Sequence, residues 1–123
     1  MFLDARKALA VRDEGLRVVT DGDNGNTIAI FAGKKLIVEL LSNGTTGYSW
    51  QVVENNTALL SLTGHEYIIP DYPSGFCGGG GVERFEFYCR KGSSRLKLVY
   101  QRSFAPKADD KMYSIVVNAK ANK

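Results

Sequence analysis

The chain has one histidine, two cysteines, three prolines and one tryptophan in 123 residues, and these scarcities close off whole classes of function. His65 and two cysteines twelve positions apart, Cys77 and Cys89, lack the short paired spacing of zinc ligands, so no metal is expected. Two cysteines are also too few for a disulfide framework. A straight strand from Val82 to Cys89 spans about 25 Å, which carries Cys89 away from Cys77 and predicts two free thiols. No apolar run approaches the roughly 20 residues that a membrane-crossing helix needs. Charges in Met1-Phe2-Leu3-Asp4-Ala5-Arg6-Lys7 stand where a secretory signal requires an apolar stretch. The expected location is cytoplasmic, or intracellular vesicles reached without a classical signal peptide. A net charge of +3, scattered along the chain, argues against nucleic acid and anionic membranes as partners.

What is present is alternation. With 44% hydrophobic and 24% charged residues the composition is that of an ordinary globular protein, and the length suits one domain. Leu36, Val38 and Leu40 share one face at period two; so do Tyr48, Trp50 and Val52, then Leu96, Leu98 and Tyr100, then Tyr113, Ile115, Val117 and Ala119. Further strands are expected at 17–20, 27–31, 59–67 and 82–89, the last with Phe85, Phe87 and Cys89 inward. Turn signals separate them: 21–25, 32–33, 43–44, 70–75 and 91–94. Seven to eight short strands at this spacing predict an all-β sandwich occupying residues 16–123. Trp50 reads as its large core anchor. Residues 1–15 form an N-terminal extension, partly ordered at most, in which 4–14 offers only Ala5, Leu9 and Ala10 as a poor helical stripe.

Three loops stand out and suggest one composite surface. In the first, Asn43-Gly44-Thr45-Thr46-Gly47-Tyr48, two stiff β-branched threonines sit between flexible glycines, an arrangement that suits either a rigid projecting tip or a plain Asn-Gly hairpin turn. In the second, Cys77-Gly78-Gly79-Gly80-Gly81, the glycines bare the backbone for an extended peptide, or mark a loop tip with no role. A phosphate cradle fits it poorly, because the following Val82-Glu83-Arg84-Phe85-Glu86-Phe87 alternates as a strand where a helix is needed. The third is Arg102-Ser103-Phe104. A thiol enzyme would have to pair Cys77 with His65, yet spacing suggests no orienting partner and His65 falls in an alternating strand as a surface residue. The expectation is a non-enzyme with no cofactor.

In order, these loops resemble those of the chagasin family of cysteine peptidase inhibitors: Asn-Pro-Thr-Thr-Gly-aromatic, then Gly-x-Gly-Gly, then Arg-Pro-Trp. The similarity runs from about Arg17 to Ala119. Gly44 stands where the family has proline, and Ser103-Phe104 where it has Pro-Trp, which implies a looser first loop and an aromatic contact without an indole N–H. The resemblance implies an immunoglobulin-like sandwich with three binding loops at one end. It implies reversible, competitive inhibition of papain-like peptidases, cathepsin L-like or similar, by a monomer. The peptidase-binding residues carried over are Asn43, Gly44, Thr45, Thr46, Gly47 and Tyr48 over the catalytic cysteine, Gly78, Gly79, Gly80 and Gly81 along the substrate channel, and Arg102, Ser103 and Phe104 on the opposite side. The competing expectation is a generic immunoglobulin-like interaction module that inhibits no peptidase.

Overall fold

In the computed structural model, residues 16–43, 46–69, 80–102 and 110–121 are described. They form eight strands: β1 (Leu16–Thr20), β2 (Thr27–Phe31), β3 (Lys35–Ser42), β4 (Tyr48–Glu54), β5 (Leu60–Ile68), β6 (Gly81–Cys89), β7 (Gly92–Arg102) and β8 (Lys111–Lys120). A single 3-10 turn, Asp21–Asp23, joins β1 to β2. Two four-stranded sheets result, ordered β1-β3-β6-β5 and β2-β8-β7-β4.

Period-two alternation drives this architecture, because each strand must bury one face against the other sheet. The inward sets meet in one core of Leu36, Val38 and Leu40 from β3, Phe85, Phe87 and Cys89 from β6, Leu96 and Leu98 from β7, and Tyr113, Ile115, Val117 and Ala119 from β8. Trp50 is 3% exposed within it, and its indole Nε1–H donates to the Leu41 carbonyl at 3.0 Å, which satisfies the one polar atom that such an anchor carries.

Most neighbouring strands pair antiparallel, but β1 runs parallel to β3 and β2 parallel to β8. The short 3-10 turn makes this possible by passing the chain from one sheet to the other. The Thr20 N–H donates to Asp23 at 2.9 Å and Leu41 N–H to Asp21 at 3.1 Å, pinning the crossover to β3. Strand limits differ from the expected ones by one residue at β1, which starts at Leu16, at β5, which covers Leu60–Ile68, and at β6, which takes in Gly81. The turn expected at 91–94 is corrected: β7 begins at Gly92, because Gly92, Ser93 and Ser94 pair with Ala119, Asn118 and Val117 of β8. Cys89 is a buried free thiol; its burial pushes its pKa up to about 11. The expected extension 1–15 and Cys77 lie outside the described residues.

Candidate functional site

The strand ends that flank three connections lie at the same end of the sandwich. Ser42 closes β3 opposite Gly81, the first residue of β6, and Ile68 of β5 lies beside Val82. In the other sheet Tyr48, opening β4, faces Arg102, closing β7, and Tyr100 faces Lys111, opening β8. Register thus sets the residues flanking 44–45, 70–79 and 103–109 at one end of each sheet, and the Trp50–Leu41 and Asn43–Tyr100 hydrogen bonds join those two ends. Leu41, Asn43, Gly80, Tyr100 and Lys111 line a shallow cavity of about 360 Å3 where they meet.

The first loop is tied down at its base. Thr46 donates to the Asn43 carbonyl twice, from its amide at 3.2 Å and its hydroxyl at 2.7 Å. The Asn43 N–H in turn donates to the Tyr100 phenol oxygen at 2.9 Å. Gly47 has φ +81°, a conformation that a side chain would resist. Tyr48 packs against Tyr100 with ring centroids 5.2 Å apart, and Tyr100 against Trp50 at 5.0 Å. The Arg102 guanidinium lies 4.9 Å over the Tyr48 ring, so a cation–π contact joins the third loop's stem to the first's.

The glycine loop has a different logic from backbone display alone. A Cβ on Gly80 would come within 2.6 Å of the Ser42 carbonyl, and one on Gly81 would fall on the Ile68 carbonyl. These two glycines let β6 enter between β3 and β5 without a side chain in the way.

Of the residues expected at the site, Asn43, Thr46, Gly47, Tyr48, Gly80, Gly81 and Arg102 are gathered here. Gly44, Thr45, Gly78, Gly79, Ser103 and Phe104 lie outside the described residues, as does Cys77 of the thiol-enzyme alternative. His65 is exposed, as expected of a surface residue, with its ring stacked on Phe85 at 4.1 Å and its Nε2 2.9 Å from Glu83.

Glu83 is the residue that the sequence reading passed over. Its side chain is buried, 3% exposed, and its Oε2 accepts the Ser42 hydroxyl at 2.6 Å and the Trp50 N–H at 3.0 Å. The signal was present: if Phe85, Phe87 and Cys89 point inward, period two puts Glu83 inward as well. No group of three or more metal-ligating side chains occurs among the described residues.

Fold and site together define a class: an immunoglobulin-like β-sandwich with the stem of its 43–47 loop fastened at one end. The profile of the Chagasin family peptidase inhibitor matches residues 30–117, and the chain belongs to that family. It is 35% identical over 101 residues to Amoebiasin-1 of Entamoeba histolytica, covering 81% of this chain and 96% of the relative. Its fold is that of a cysteine protease inhibitor from Entamoeba histolytica, with TM-score 0.77, 21% identity and coverage of 85% and 96%. It also resembles PbICP-C, solved in complex with falcipain-2, with TM-score 0.61, 16% identity and coverage of 85% and 89%.

Proposed function

We infer that the protein is a reversible, competitive inhibitor of papain-like cysteine peptidases that works by wedging its loop-bearing end into the active-site cleft. The observation that carries this reading, beside family membership, is the fastening of the 43–47 stem. Loop ends restrained before contact lose less conformational freedom on binding, and so more of the contact energy appears as affinity. Asn43, Gly44, Thr45, Thr46, Gly47 and Tyr48 form the central wedge, with Gly78 to Gly81 on one side and Arg102, Ser103 and Phe104 on the other.

No nucleophile is needed for this mode of action. The wedge fills the cleft without offering an aligned scissile bond, so the complex dissociates intact. Arg102, already stacked on Tyr48, supplies an aromatic and cationic edge of the kind enriched among binding hot spots.

Titration against falcipain-2 and against papain-like peptidases of other sources tests this. Full, reversible loss of peptidase activity at a stoichiometric ratio is expected, with apparent affinity falling as substrate rises. Thr45→Arg combined with Thr46→Glu is expected to raise Ki at least 100-fold with an unchanged circular dichroism spectrum. Absence of inhibition at micromolar protein across the panel would sink the reading.

A further inference from the structure

We propose that Glu83 is a positioning residue that holds the stems of the 43–47 loop in their binding shape, with His65 as the outer member of the brace; this rests on the inhibitor reading above. An inward position at the end of a sandwich core is ordinarily filled by an apolar side chain, since burying a carboxylate is unfavourable unless it is well paired. Here the carboxylate is paired three ways. Ser42 ends β3 just before the loop, Trp50 lies in β4 just after it, and both are held by one oxygen of Glu83 at 2.6 and 3.0 Å. The other oxygen is 2.9 Å from His65 Nε2 in β5, whose ring is fixed by its stack on Phe85.

The brace spans both sheets. Ser42, Glu83 and His65 belong to the sheet β1-β3-β6-β5, whereas Trp50 belongs to β4, the edge strand of the other sheet. An edge strand's free N–H groups need an acceptor when buried, and Glu83 provides one while fixing the distance between the two loop stems. An apolar residue would fill this space but would leave the Ser42 hydroxyl and the Trp50 N–H without an acceptor and the stems free to move apart.

Glu83→Leu removes the brace. It takes away a buried carboxylate but leaves the Ser42 hydroxyl and the Trp50 N–H without their acceptor, so it is expected to fold with a thermal midpoint below the parent's. Measured well below that midpoint, where the variant is folded, its Ki is expected to rise at least tenfold. Amide hydrogen exchange at Asn43 and Thr46 should accelerate about tenfold while Val38 and Val117 in the core exchange as before. Glu83→Gln keeps an acceptor for Ser42 and Trp50 and is expected to restore Ki to within about threefold of the parent.

A folded Glu83→Leu with Ki within twofold of the parent overturns the proposal. Should Glu83→Leu fail to fold, Ser42→Ala and His65→Phe each remove one arm, and Ki values for both within twofold of the parent overturn it equally. Should the parent itself inhibit no peptidase, the inhibitor reading fails by itself, and unchanged exchange at Asn43 and Thr46 in the variant then overturns the brace.

Discussion

At Gly81 one added methyl group would meet the Ile68 carbonyl, and at Gly80 it would meet the Ser42 carbonyl at 2.6 Å. Gly81→Ala is therefore expected to lower stability by about 1–3 kcal/mol, the range of overpacking in a close-fitted site. The loss should fall on the β5–β6 pairing nearest the loops, because β5, at the sheet edge, is the strand able to give way. Gly22→Ala, whose Cβ would meet only Thr20 at 3.9 Å, serves as the control and should stay within about 0.5 kcal/mol. Urea denaturation of both measures the difference; equal midpoints would refute the close-approach argument. A run of glycines in a sequence reads as freedom, and only the register of three strands reveals that Gly80 and Gly81 are there for lack of space. Glu83 shows the opposite case, where the inward alternation of Phe85, Phe87 and Cys89 already points a carboxylate into the core.

Among the elements, β5 was expected at 59–67 and forms at Leu60–Ile68, within a residue at either end. Its burial alternates poorly because it is an edge strand, with Leu62 and Tyr67 left largely exposed. A register shift between Leu62 and Gly64 leaves Thr63 as the extra residue of a bulge. The Thr63 hydroxyl donates to the Glu86 carboxylate at 2.8 Å, and Lys35 of β3 reaches the same oxygen at 3.2 Å. One side chain thus links three strands across the outer face. The Thr63 hydrogen bond first, and then Lys35, hold the Glu86 pKa below its ordinary 4.5. A carboxylate lowered in the folded state contributes stability that is present above pH 4.5 and is lost as pH falls through its lower folded value. Thr63→Val removes the largest cause, so the decline in stability between about pH 5 and pH 3 should become shallower than the parent's. Because Glu86 keeps 30% of its side chain exposed, the change should stay below about 1 kcal/mol. Urea midpoints across that range, parallel for the two proteins, would show that the hydroxyl is not felt. β8, with its period-two face of Tyr113, Ile115, Val117 and Ala119, was readable because the sandwich hides one side of it, whereas β3 buries Ile37 and Glu39 as well as Leu36, Val38 and Leu40. The parallel pairings of β1 and β2 were not, since periodicity marks a face and says nothing about which neighbour it joins.

On the scale of the molecule, a sandwich converts hairpin order into spatial order: connections that alternate along the chain emerge at one end. Asn43, Gly80, Gly81 and Arg102, from three separate motifs, thereby stand at one end, while the brace beneath them belongs to no motif. The same closed core makes a prediction about alkali. Burial raises the Cys89 thiol from its ordinary 9.0 to about 11. Burial first, and the nearby Asp23 and Asp21 charges second, raise the Tyr113 phenol above its ordinary 10.0, where its hydroxyl donates to the Thr20 carbonyl at 2.9 Å. In both cases the native state keeps a proton that the unfolded chain has released. Their contribution is therefore complete below pH 9 and is lost progressively as pH rises toward 11, with Tyr113 extending the loss further. For Cys89 alone a two-unit shift corresponds to roughly 2–3 kcal/mol over that interval. Thermal midpoints recorded from pH 8 to pH 11 should fall steeply in the parent. Cys89→Ala, which costs about 1 kcal/mol at every pH through its small cavity, should fall less steeply. Tyr113→Phe, lowered throughout by the lost Thr20 bond, should flatten the limb above pH 10. If both variants instead track the parent at a constant offset up to pH 11, ionisation of these two buried groups does not set the alkaline limit, and the loss of stability must begin outside the core.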